Sequence, residues 1–203
     1  MIKQKLLLAT TNQGKAKEIK RYLAELPLEI LSLDDLPLKS TFLEKGKTFL
    51  ENARGKSLFY SQQCEYLILA EDSGLEIKSL DGAPGIFSAR FSSPRPTDEK
   101  NIQKVLKLMR GVPLEQRKAQ FTCYLVLSQK GKIIKEIKGT ARGWIGFKKK
   151  GNCGFGYDPI FYYSPLQRTF AELEPEEKNQ ISHRGRALKK LKAFLAQYLG
   201  RWS

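Results

Sequence analysis

The chain has 203 residues, 41% of them hydrophobic and 28% charged, which excludes wholesale disorder and fibrous repeats and leaves room for a core of ordinary size. Its 36 Lys and Arg against 21 Asp and Glu give a formal charge of +15, a field that attracts nucleotides, nucleic acid and acidic membranes alike and so selects anions without selecting a function. No apolar run reaches the roughly 18–20 residues of a spanning helix. The short leucine run after Met1 to Lys5 is too brief for a signal-peptide core, and three scattered cysteines with one histidine support neither a disulfide framework nor a zinc site. A cytoplasmic protein without a membrane partner is expected.

In chain order, Lys5 to Thr10 reads as a buried strand, and Ala16, Ile19, Leu23 and Leu26 then recur at helical spacing. Leu28 to Leu33 reads as a second strand. A turn-rich stretch from Asp34 to Gly46 precedes a helix of about four turns from Lys47, with Phe49, Ala53 and Ser57 on one side. Leu67 to Ala70 is continuously apolar, as in a strand covered on both faces, and is expected to end in Glu71-Asp72-Ser73-Gly74. Gly82 to Gly85 must turn, and Thr97 caps a helix whose inner face is Ile102, Val105, Leu106 and Met109. Phe121, Cys123, Leu125 and Leu127 alternate before a turn at Lys130-Gly131, and a second extended run starts at Ile133, which predicts an antiparallel hairpin. An amphipathic helix carrying Ala187, Leu188, Leu191, Phe194, Leu195, Tyr198 and Leu199 closes the chain. No linker or repeat divides it, so residues 1–203 are expected to form one domain.

Four segments could carry chemistry, each with a plainer alternative. Thr10-Thr11-Asn12-Gln13-Gly14-Lys15 supplies hydroxyls, an amide, a glycine and an ammonium where a helix begins, which is the makeup of a phosphate cradle. It has a single glycine and no hydroxyl after the lysine, so it is not a P-loop, and a capped strand-to-helix turn would look the same. Glu44, Glu71 and Asp72 could hold a hard divalent cation, since Mg2+ takes one or two carboxylates plus phosphate oxygens and water. In an unbroken strand Glu71 and Asp72 would point to opposite faces, which favours Asp72, and simple turn capping is the rival reading. Gly154-Phe155-Gly156-Tyr157-Asp158 lets the backbone approach a flat ligand with Phe155 as a stacking surface, or is an ordinary turn on a core aromatic. Lys178 to Gly185 holds the lone histidine, His183, beside Arg184; a lone histidine is more often a surface or capping residue. Asn52 and Lys56 lie four apart on one helix face, where solvation is the default.

Taken together and in order, these segments resemble the non-canonical purine nucleoside triphosphate pyrophosphatases, the inosine triphosphatase and dITP/XTP pyrophosphatase family. The resemblance rests on Ala9 to Lys15, Thr48 to Ala53, Glu71 to Leu75, Gly82 to Arg90, Gly154 to Pro159 and Ile181 to Gly185, and so covers nearly the whole chain. It implies an elongated mixed α/β fold with a central β-sheet flanked by helices, two lobes around a substrate cleft, usually a homodimer, and Mg2+-dependent hydrolysis of a nucleoside triphosphate to monophosphate and pyrophosphate. By the same resemblance Thr10, Thr11, Asn12, Gln13, Gly14 and Lys15 grip the triphosphate, with Lys56 a further phosphate ligand. Glu44 and Asp72 ligate the metal, and Asp72 is the proton acceptor. Ser73 contacts substrate; Phe155, Gly156, Tyr157 and Asp158 hold base and sugar; Lys178, His183 and Arg184 reach the base edge. Thr11 stands where bacterial members often have glycine, and Glu71 where they often have aspartate.

The chemistry implied is coherent. A triphosphate carries about four negative charges, and attack at the α-phosphorus requires their neutralisation. N–H donors on Lys178, His183 and Arg184 suit a 6-oxo purine and would be left unpaired by the adenine amino group, which predicts ITP, dITP and XTP over ATP. Two other readings compete: a basic nucleic-acid-binding protein using Lys148 to Lys150 and the last helix, for which no recognition motif is present, and a pyrophosphatase acting on other modified nucleotides.

Overall fold

The computed structural model describes residues 3–36 and 42–200; part of the turn-rich stretch before the first long helix, residues 37–41, lies outside them, as do Met1 and Ile2. Among the described residues seven strands form one mixed sheet: β1 (Gln4–Ala9), β2 (Leu28–Ser32), β3 (Leu67–Ile77), β4 (Lys118–Gln129), β5 (Lys132–Ile145), β6 (Phe161–Tyr163) and β7 (Arg168–Thr169), in the order β2-β1-β3-β4-β5-β6-β7. The flanking helices are α1 (Gln13–Leu23), α2 (Phe49–Ser61), α3 (Asp98–Leu108), α4 (Pro175–Ile181) and α5 (His183–Gly200). No helix among the described residues is long and apolar enough to cross a membrane.

The chain forms two compact units. The first holds the described residues up to Asp72, Cys123–Gly139 and those from Gly185 onward. Here β1 pairs in parallel with β2 on one side and with β3 on the other, Leu6 lying opposite both Ile30 and Leu67. Both faces are covered. Leu6, Leu8, Leu67 and Leu69 cluster with Ile19 and Leu23 of α1 and Leu188, Leu191 and Leu195 of α5, while Leu7, Ala9, Ile68 and Ala70 cluster with Tyr60 of α2. Burial on both faces is why these strands read as unbroken apolar runs. Leu26, expected within the first helix, lies beyond its end but still packs on the first cluster.

Side-chain oxygens start the helices. Asn12, Thr48 and Thr97 each accept from the backbone N–H three residues on, which places the start of α2 one to two residues later than Lys47 and bears out Thr97 as a cap. The β4–β5 connection is the two-residue turn expected at Lys130-Gly131, with φ of 50° and 74°. Positive φ at both central residues is what a tight hairpin turn matching the strand twist requires, and glycine meets it at least cost.

The second unit comprises Ser73–Thr122 and Thr140–Arg184. Its core gathers Leu75 and Ile77 of β3, Ile102 and Val105 of α3, and Phe121, Phe161 and Phe170. Arg117, only 2% exposed, donates to the carbonyls of Met109, Ile145 and Gly146 at 2.7–2.8 Å, tying the end of α3 to the end of β5.

β3 does not end at Ala70 but runs unbroken through Glu71 and Asp72 to Ile77. Ser73-Gly74 suggests a turn, yet Leu75 and Ile77 resume a buried alternation, and that apolar contact keeps the strand extended. What does stop is the neighbour: β1 ends at Ala9, opposite Ala70, so Glu71 and Asp72 stand where the parallel pairing gives out.

Candidate active site

In the first unit the candidate groups gather at the carboxyl ends of β1 and of the parallel part of β3. β1 is flanked by β2 on one side and β3 on the other, and in open α/β sheets ligands bind where the strand order reverses in this way. The loop after β1 is held by its own side chains: the Thr10 hydroxyl accepts from Asn12 N at 3.2 Å, and Asn12 Oδ1 accepts from Lys15 N at 3.0 Å. Gln13 and Gly14 then contribute first-turn N–H groups that a helix cannot satisfy internally, the partial positive charge that favours a phosphate. Thr11 and Gln13 are exposed. Thr11 is not among the residues with positive φ, so the backbone there accommodates a threonine Cβ.

The acidic residues divide between the two faces of β3, as an unbroken strand demands. Glu71, 1% exposed, has Lys15 Nζ 3.7 Å from its carboxylate, whereas Asp72, 7% exposed, lies on the α2 side, where Asn52 Nδ2 donates to its Oδ2 at 3.0 Å. Lys56, one turn after Asn52 on α2, pairs with Glu44 and donates to the Glu71 carbonyl at 3.3 Å. Burial pushes the Asp72 carboxyl above the usual carboxylate range; the Lys15 charge opposes that shift, the nearby Glu44 adds to it, and Lys56 and the Asn52 bond pull it down. Glu44, Lys56, Lys15 and Asp72 are thus brought together, with Glu71 behind them.

This donor set fits a hard divalent cation. Glu44 and Asp72 offer only carboxylate oxygens, and Asp72 is a desolvated charge whose ionised form is further disfavoured by Glu44, a pair that a cation relieves. No group of three or more His, Cys, Asp or Glu side chains gathers as a complete metal cage among the described residues; for Mg2+ two carboxylates suffice, the remaining positions going to water and phosphate oxygens.

In the second unit Ser73, Phe155, Asp158, Lys178 and Arg184 come together. Arg184 Nη2 donates to Ser73 Oγ at 3.3 Å. The half-buried Phe155 ring has Lys178 Nζ 4.9 Å and the Arg184 guanidinium 5.4 Å from its centroid, so two cations share one aromatic surface. Asp158 organises the turn beneath: its Oδ2 accepts from Phe155 N at 3.0 Å and from Lys178 Nζ at 2.6 Å. Gly154, at φ 78°, is required there, since a Cβ would fall 2.2 Å from that same oxygen. Gly156 N donates to Asp98 Oδ2 at 2.7 Å.

Two of the anticipated base-end residues are deeply buried. Tyr157 is 4% exposed in the core, its hydroxyl donating to the Ser88 carbonyl at 2.9 Å, and burial holds the phenol protonated. His183 is not a surface residue: it opens α5, is 4% exposed and stacks on Phe121 at 4.6 Å between centroids. Three supporting residues were not singled out for these roles: Asn52, Asp98 and Phe121. For Asn52 a signal existed, because asparagine is disfavoured inside helices unless its amide is bonded elsewhere.

The Ham1 family profile matches residues 6–194. A dITP/XTP pyrophosphatase of Oceanobacillus iheyensis is 45% identical over 193 residues, 95% of this chain and 98% of that protein. The solved Ham1 protein of Staphylococcus aureus superposes with a TM-score of 0.86 at 38% identity, over 96% of this chain and 100% of that one. The solved HAM1 protein of Coxiella burnetii gives 0.87 at 38% identity, over 96% and 99%. With its sheet order, its acidic and basic groups and its full-length similarity in agreement, the chain belongs to the Ham1 family.

Proposed function

We propose that this protein hydrolyses non-canonical purine nucleoside triphosphates, ITP, dITP and XTP, to the monophosphate and pyrophosphate. The observation that carries the reading is the chemistry arrayed along β3: Asp72 among hard oxygens and ammonium groups, and Ser73, the next residue, bonded to an arginine that lies over an aromatic ring. The first set suits a metal-bound triphosphate and the second a purine. Kinship with proteins named dITP/XTP pyrophosphatase supports it.

In this reading Thr10 to Lys15 and Lys56 bind the triphosphate through backbone N–H groups, hydroxyls and ammonium charge. Glu44 and Asp72 would hold Mg2+, which when bound supplies charge neutralisation on the phosphate oxygens. Asp72, its basicity raised by burial, takes a proton from the attacking water, and attack at the α-phosphorus expels pyrophosphate. Phe155 stacks on the base, and Lys178, His183 and Arg184 donate to its 6-oxo edge. Asp158 and Gly156 shape the turn, and Tyr157 anchors it. The enzyme acts in the cytoplasm on the free nucleotide pool as one two-lobed domain and as a homodimer, for which the exposed Phe87 and Phe147 offer apolar surface.

A Mg2+-dependent hydrolysis panel of ITP, dITP, XTP, GTP, ATP and CTP tests the proposal. Monophosphate and pyrophosphate from the 6-oxo non-canonical substrates are expected. Orthophosphate release would place cleavage at another bond, and salt-sensitive RNA binding without hydrolysis would favour a nucleic-acid-binding protein.

A further inference from the structure

We infer that Asn52 is a positioning residue that sets the distance between the Glu44 loop and the Asp72 carboxylate, and so pre-forms the divalent-cation site. The inference rests on the reading of Glu44 and Asp72 as metal ligands.

Asn52 is 1% exposed and uses both ends of its amide. Its Oδ1 accepts from Gly46 N at 2.8 Å, and its Nδ2 donates to Asp72 Oδ2 at 3.0 Å. The orientation is dictated chemically: a backbone N–H can only donate, so the amide oxygen must face Gly46 and the nitrogen must face the carboxylate. Gly46 lies two residues after Glu44, so one side chain spans from the loop that carries the first carboxylate to the strand that carries the second.

The loop is also held so that this span cannot slacken. Lys47 N donates to Glu51 Oε2 at 2.7 Å and Thr48 Oγ1 accepts from Glu51 N at 3.1 Å, a reciprocal cap that fixes the entry into α2 beside Asn52. The approach at Gly46 is too close for a side chain: a Cβ there would lie 2.6 Å from Asn52 Oδ1 and 2.9 Å from the Glu51 Cβ. Glycine at 46 and asparagine at 52 therefore form a matched pair. Two like charges brought together without a cation repel, so a neutral donor that grips one of them while bracing the other's loop keeps the ligands in place before the ion arrives.

The test is Mn2+ binding to the whole protein, without nucleotide, followed by the enhancement of water-proton relaxation, with circular dichroism confirming the fold of each variant. Asn52→Ala and Gly46→Ala, which break the span from opposite ends, should each raise the Mn2+ dissociation constant about 10–100-fold. Ser57→Ala is the control: Ser57 is a buried, hydrogen-bonded residue of the same helix, bonded to the Val126 carbonyl at 3.1 Å, and its loss should lower the melting temperature without moving Mn2+ affinity. Folded Asn52→Ala and Gly46→Ala proteins that bind Mn2+ as tightly as the wild type, while Asp72→Asn loses binding, would overturn the role of Asn52 and leave the metal reading standing. Wild type and Asp72→Asn binding Mn2+ alike would overturn the metal reading itself, and the inference with it.

Discussion

The two units bury charge of opposite sign and satisfy it differently. In the first, the deeply buried charges are carboxylates, Glu71 and Asp72, and the lysines around them, Lys15 and Lys56, keep 15% and 13% of their side chains exposed. In the second, the buried charges are mostly cations, Lys178, Arg184 and Arg117, held against a carboxylate, an aromatic ring and backbone carbonyls. A buried carboxylate beside partly exposed ammonium partners is poised to gain a cation or a proton, whereas a cation locked to a buried carboxylate is a fixed donor. The first arrangement suits a step in which charge moves, the second a surface that must present the same donors to every base.

The contrast is most directly broken at Asp72. Asp72→Asn should lower kcat about 10²–10⁴-fold with the fold intact, and near-normal turnover would remove Asp72 from proton transfer. The same variant should melt higher than wild type in metal-free buffer at pH 8. In the wild type, burial raises the Asp72 pKa above its ordinary value in the folded state, so stability is lost as pH rises from the ordinary carboxylate range through the shifted value; the advantage of the asparagine should vanish below that range.

The second unit should respond in the opposite sense. Lys178→Met strands the buried Asp158 carboxylate and should cost about 3–5 kcal/mol in denaturant unfolding; a loss below about 1 kcal/mol, the surface-pair range, would mean the pair is not locked. Arg184→Met keeps bulk but removes the donors, and should narrow the kcat/KM preference for ITP over ATP by about 1.5–3 kcal/mol, the worth of a hydrogen bond to a charged group. Tyr157→Phe, the smallest change, should cost about 0.5–1.5 kcal/mol of stability and leave the kinetics near wild type, because its hydroxyl bonds Ser88 in the core. A large KM effect there would return Tyr157 to the substrate.

Legibility followed range. Features set by neighbours a few residues apart were readable: the double-sided strand Leu67 to Ala70, the cap at Thr97, the turn at Lys130-Gly131 and the loop from Thr10 to Lys15. Features set by distant partners were not. The continuation of β3 through Asp72 depends on the pull of Leu75 and Ile77 into a core shared with Phe161 and Phe170, and local chemistry at Ser73-Gly74 argues against it. The burial of His183 involves Phe121, and the arrangement of Gly154 to Asp158 involves Asp98 and Ser88, all distant in sequence.

The termination of β1 opposite Ala70 also bears on how the protein forms. The β4–β5 hairpin closes through two residues, whereas Leu6 meets Leu67 across about sixty residues of chain, a contact of high order whose loop-closure entropy must be met before it returns any stability. The hairpin can assemble on the microsecond scale, but Glu71 and Asp72 acquire their surroundings only when the parallel pair has closed. During refolding, extended structure should therefore return before catalysis does, and the interval between the two is the time this chain takes to bring its first strand to its third.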